Sequence, residues 1–277
     1  MSFETLILPF QFEFMLNAFL IALIVSIPSA LLSCFLIMKG WALMGDAVSH
    51  AVLPGIVFSY IIGAPLILGA FIAGIGCSLA TGYLSNNCRV KQDSIMGVVF
   101  SGMFGLGIVL YVSVETNAHL DHILFGNILG VEQHELWTTG IISFGVSIVL
   151  ILKWKDWLLH SFDPVQARTS GLNVNLLHFG MLTALSLTII AILSAAGLIL
   201  AIGLVIAPGA TAFLLVRKFS MMLCLSTVIC IFSMMFGTYI SFFLDSAPAP
   251  TIVLVMTIIF LAALIKKQYM VSFNSTF

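Results

Sequence analysis

Charge is what this sequence has least of. Only 8% of its 277 residues are Asp, Glu, Lys or Arg, against 61% hydrophobic residues, whereas soluble domains carry about 25% charged residues. A soluble fold of this length could not bury so much apolar surface, so lipid must be the solvent for most of the chain. No polar stretch is long enough to build a separate soluble domain. The expected fold class is therefore an all-α membrane protein, a polytopic helical bundle with residues 1–277 in one transmembrane domain. Net charge is −1, which gives no support to a nucleic-acid partner. The five cysteines, Cys34, Cys77, Cys88, Cys224 and Cys230, lack CxxC spacing, which argues against a cysteine metal site or a structural disulfide. Neither GxxxxGK[ST] nor HExxH occurs, so the chain has no Walker phosphate loop and no zincin helix. The N-terminal stretch MSFETLILPFQFEFM contains no Lys or Arg. It thus lacks the basic region of a cleaved signal peptide, and residues 1–13 read as an interfacial segment on the membrane surface.

What is present is a series of long apolar runs. A helix needs roughly 20 apolar residues to cross the hydrocarbon core. Candidate spans are 14–38, 42–62, 66–85, 94–114, 136–153, 176–194, 197–217, 220–244 and 250–265. The count falls to eight if SAAGLILAIGLV at 194–205 is a re-entrant hairpin. All ten basic residues, Lys39, Arg89, Lys91, Lys153, Lys155, Arg168, Arg217, Lys218, Lys266 and Lys267, follow odd-numbered spans. Basic residues are retained on the cytoplasmic side, so the pattern predicts an outside N-terminus and a cytoplasmic C-terminus. Glu4, Glu13, Glu115, Asp121, Glu132, Glu135 and Asp245 collect on the opposite face.

The second span carries the most informative side chains. Asp46 and His50 are four residues apart and share one helix face. Ionisable groups inside the bilayer cost several kcal/mol by most estimates and mostly face a bundle interior or a wet path. Carboxylate with imidazole suits divalent first-row metals. The same pair could relay protons, or be a hydrogen-bonded pair that only holds helices together; spacing does not choose among the three. Pro54 predicts a kink just past His50. His119, His122 and His134 read as solvated loop histidines, and His160 and His178 flank the inner loop with no visible partner. Further along, SFDPVQARTSGL offers Asp163 as a helix cap, Pro164 in the first turn and Gly171 as an end signal. This predicts one short helix on the cytoplasmic surface.

Four stretches carry a resemblance: LMGDAVSHAVLPG at 43–55, ILFGNILGV at 123–131, SFDPVQARTSGL at 161–172 and SAAGLILAIGLVIAPGATAFLL at 194–215. In order and spacing the chain resembles the permeases of manganese-, iron- and zinc-importing ATP-binding-cassette systems across essentially its whole length. It departs at Asn127, where the family commonly has an acid, and at Ala249–Pro250, where a glycine is usual. The resemblance implies a pathway formed by a homodimer or with a closely related permease. It also implies a separate cytoplasmic ATP-binding-cassette ATPase and an extracytoplasmic metal-binding protein. Asp46 and His50 would line the metal pathway. Asp163, Pro164, Ala167 and Gly171, in a coupling loop at 154–175, would transmit ATP-driven motion. The chain itself would be no enzyme and hold no permanent cofactor, only the transported divalent metal, manganese or iron ahead of zinc. It would be a multi-pass protein of the bacterial inner (cytoplasmic) membrane. The alternative is a proton-coupled secondary metal transporter, against which no internal repeat is visible.

Overall fold

A computed structural model of the chain describes residues 7–41, 43–90, 92–113 and 128–274. Glu4, Glu115, His119, Asp121, His122 and Asn127 lie outside the described residues. Among those described, no strand occurs. In lipid each backbone N–H and C=O must bond within its own segment, which helices achieve without a partner.

The helices are α1 (Glu13–Lys39), α2 (Met44–Ala51), α3 (Leu53–Ile62), α4 (Leu66–Asn87), α5 (Gln92–Ser113), α6 (Gln133–Leu152), α7 (Trp154–Phe162), α8 (Pro164–Thr169), α9 (Val174–Ala196), α10 (Leu198–Leu215), α11 (Phe219–Leu244) and α12 (Pro248–Asn274). Short 3-10 turns at Leu8–Gln11 and Ile128–Gly130 precede α1 and α6. Among the described residues nine helical stretches are long and apolar enough to cross a membrane, with α2 and α3 together forming the second. Each lies within a few residues of its expected place. The segment 194–205 is helical on both sides of Gly197, and α10 is 18 residues long, or about 27 Å at 1.5 Å per residue.

α1 is central. It packs on α6, α10 and α11, while α9 packs on α4 and α6, and α12 closes against α10 and α11. Phe35, Leu32, Leu36, Leu185 and Ile189 are fully buried where these helices meet. Small polar residues line the same contacts: the Cys34 thiol lies 3.0 Å from the Ser226 hydroxyl, across α1 and α11. Such residues let membrane helices approach closely. α5 is the most exposed span and covers α2 and α3.

The stretch read as cytoplasmic differs from the single short helix expected: it holds two, α7 and α8. α7 forms because Trp157 and His160, three residues apart, are both buried and give the segment an inward face. Asp163 then breaks it, with extended backbone, and starts α8. α6 begins on a capping box, Glu132 with Glu135, which consumes two of the acids read as plain outer-face charge.

Candidate metal-pathway site and coupling segment

The second span is two helices rather than one kinked helix. α2 ends at Ala51, and Leu53 and Pro54 open α3. Proline there lacks an N–H in a turn that has no intrahelical use for it. The break falls one residue past the turn carrying Asp46 and His50.

His50 Nε2 lies 3.3 Å from Asp46 Oδ1, so the i, i+4 spacing does bring the pair together. Their side chains are 24% and 33% exposed, respectively. The other ring nitrogen, Nδ1, is buried with no hydrogen-bond partner among the described residues. Two half-buried phenylalanines of α5 hold the ring: Phe104 edge-on at 5.0 Å and Phe100 tilted at 5.6 Å. Neither was singled out from the sequence. Their four-residue spacing is a helical signal, but in an apolar chain most such pairs mean only packing. The Ser49 hydroxyl is occupied by the Gly45 carbonyl at 2.7 Å.

A small void adjoins His50, bounded by Leu53, Ile56, Phe104, Leu193 and Leu198. A cleft of about 390 Å³ shares Ile56 and Leu193 with it and reaches His134, Glu135 and Pro65 at the start of α6 and α4. His134, read as a plain loop histidine, is thus exposed on a cleft wall. Among the described residues no three His, Cys, Asp or Glu side chains converge as a metal-binding group. One copy therefore offers a carboxylate and an imidazole, and a cation bound there needs further donors. All five cysteines are free, with Cys34, Cys77 and Cys230 buried.

The caps of the segment around α8 form where its sequence places them. The Asp163 carboxylate accepts from the N–H groups of Val165 and Gln166 at 2.9 and 3.0 Å, and Pro164 takes the first helical position. Ala167 is fully buried. Gly171 ends the segment at φ +81, while the Leu172 and Gly171 N–H groups bond the Ala167 and Arg168 carbonyls at 3.1 Å each. That left-handed closure favours glycine. Phe162 and Val165 are 64% and 73% exposed on either side of the cap. The structure also supplies the partners that His160 and His178 lacked in sequence: Lys39 Nζ stands 2.9 Å from His160 Nε2, and the two imidazoles are 6.2 Å apart.

The chain is similar over most of its length to known membrane proteins. Residues 11–267 match the model of the ABC 3 transport family. The chain is 49% identical over 265 residues to the chelated iron transport system membrane protein YfeD of Yersinia pestis, covering 96% of this chain and 89% of that protein. It is 41% identical over 260 residues to the manganese transport system membrane protein MntB of Synechocystis, covering 94% and 85%. The solved structure of PsaBC from Streptococcus pneumoniae in complex with Fab superposes with a TM-score of 0.84 at 32% identity, covering 95% of each chain.

Proposed function

The chain belongs to the ABC 3 transport family, and from that premise we propose that it is the permease subunit of an ATP-driven importer of a divalent transition metal. It is a multi-pass inner-membrane protein. The observation that carries the proposal is the Asp46–His50 pair, which sits in a broken span and remains a quarter to a third exposed in the lone chain. A charged group left facing lipid is unfavourable, so this surface calls for a polar cover. A second copy of this chain, or a closely related permease, would supply it. Two copies bring two carboxylates and two imidazoles to one axis, a donor set suited to manganese, iron(II) or zinc.

ATP hydrolysis belongs to a separate subunit, for which α8 is the docking element, with Phe162 and Val165 exposed beside it. An extracytoplasmic protein would hand over the metal. Nitrogen and oxygen donors do not by themselves rank these metals. Manganese and iron rank ahead of zinc in this reading, which is supported by relatives named for iron and for manganese.

The experiment is uptake of radiolabelled manganese, iron(II) and zinc into proteoliposomes that hold this chain with its ATPase, the binding protein being supplied outside. Uptake that requires ATP is the expected result. Uptake without the ATPase, driven by a proton gradient, would instead make Asp46 and His50 a proton relay. The orientation follows from the basic residues: the turn before α6 outside, α8 inside. A single cysteine placed at Glu132, in a cysteine-free background, should react with an impermeant thiol reagent added to whole cells. Protection there, with labelling of a cysteine at Arg168, would invert the topology.

A further inference from the structure

A buried polar cluster lies at the foot of the pathway helix. α8 packs on α7 and on α9, so a push on α8 reaches the bundle through those two helices. α7 is tied to α8 at Asp163, whose N–H bonds the Leu159 carbonyl at 2.9 Å while its carboxylate caps α8. Trp157 and His160, each 3% exposed, form the inward face of α7. Trp157 donates from Nε1 to the Leu177 carbonyl of α9 at 3.0 Å and stands edge-on to Phe35 of α1. These contacts seat α7 on α9 and α1.

His160 makes the other contact, with Lys39, the last residue of α1. The Lys39 ammonium also lies 4.0 Å over the indole of Trp41, which meets His178 of α9 edge-on at 5.4 Å. Burial pushes the His160 imidazole down to about 4, helped by Lys39 and His178 nearby. At cytoplasmic pH the ring is therefore neutral and Nε2 accepts from the ammonium. Its Nδ1 is then a buried donor with no partner among the described residues. A leucine would avoid that penalty but would leave the half-buried Lys39 ammonium without this acceptor.

Lys39 precedes the start of the pathway helix at Met44 by five residues. The Gly40 and Trp41 N–H groups bond the Ile37 and Leu36 carbonyls at 3.1 and 2.8 Å, and the Met44 N–H bonds the Trp41 carbonyl at 3.0 Å. These bonds lock the end of α1 to the start of α2, with Asp46 in its first turn. A displacement at Lys39 is therefore carried into the helix that holds Asp46 and His50.

We propose that the Lys39–His160 contact passes movement of α8 to the pathway helix, making both side chains positioning residues for transport that never touch the metal. The proposal rests on the importer reading above. It is tested by the ratio of metal transported to ATP hydrolysed in the reconstituted complex. His160→Gln places an amide oxygen near the position of Nε2 and keeps an acceptor for the ammonium; His160→Leu fills the space without one. Coupling between sites is typically worth about 5–150-fold. His160→Leu and Lys39→Met should therefore lower the ratio about tenfold while ATP turnover and assembly persist, and His160→Gln should stay within about twofold of wild type. A parallel fall in both rates, with the ratio unchanged, would reduce the cluster to a structural role and overturn the proposal. So would a wild-type ratio in His160→Leu. If that variant does not assemble, Lys39→Met, altered on the half-buried partner, decides the same question. Wild-type uptake that ignores ATP would overturn the importer reading instead, a distinct result.

Discussion

Asp46→Asn is expected to reduce metal uptake about 100-fold or more while the protein still folds and binds its ATPase. The substitution is nearly isosteric, and an asparagine oxygen can still accept from His50 Nε2, now at 3.3 Å from Asp46 Oδ1. The helix also keeps its packing, because asparagine fills nearly the same volume at this partly buried position. What disappears is the anionic donor. Losing a group that only orients a metal ligand already costs about 10–100-fold in affinity, and losing a charged ligand should cost at least that. In a dimer the loss occurs twice on one pathway. The measurement is initial uptake at several metal concentrations, with ATP hydrolysis and elution volume as controls for assembly. Normal uptake by this variant would sink the pathway assignment and leave Asp46–His50 as an internal tie between helices. A partial loss confined to low metal concentration would mean that the remaining donors still form a site of lower affinity. His50→Ala is the companion variant, since its ring is fixed by Phe100 and Phe104 rather than by Asp46 alone.

The spans were legible because lipid imposes a simple rule. Long apolar runs must be helical, and Lys39, Arg89, Lys153, Arg217 and Lys266 punctuate them at their ends. Asp163, Pro164 and Gly171 were legible for a different reason: helix caps are local, so the residues that form them lie within a few positions of the bonds they make. The Asp46–His50 pair is local in the same sense. What escaped the sequence is non-local. Lys39 and His160 are 121 residues apart, and nothing in either neighbourhood points to the other. α7 was missed because it is nine residues long with only Trp157 and His160 buried, too few for a periodic signal within a stretch read as polar. Pro54 announced the irregularity of the second span, but not that α2 would end before it. The phenylalanines around His50 were hidden by abundance, since the chain has 23 of them.

The second large effect is expected where two helices touch backbone to backbone. A methyl group on Gly55 of α3 would fall on the Gly69 carbonyl of α4 and lie 2.6 Å from Ala73 Cβ; one on Gly69 would fall on the Gly55 carbonyl and the Ser59 hydroxyl. The two carbonyls are main chain and cannot swing aside, so the helices must separate to admit the methyl. Overpacking of a tight core usually costs about 1–3 kcal/mol, and a clash with main chain belongs at the upper end. Gly55→Ala should therefore lower stability by about 3 kcal/mol, roughly a hundredfold in the folded-to-unfolded ratio. Gly76, on the same helix α4, has open space where its methyl would go, and alanine is the better helix former. Gly76→Ala should be neutral or slightly stabilising. The check is thermal unfolding of both purified variants in one detergent, with uptake measured on whatever folds. Separation at Gly55 also shifts α3, which continues the proposed pathway helix past His50, so surviving Gly55→Ala protein should transport poorly even when cold. Equal stability of the two variants would show that the α3–α4 crossing tolerates a wider spacing. A stable but inactive Gly55→Ala would show that the crossing sets the position of the pathway helix without holding the fold together.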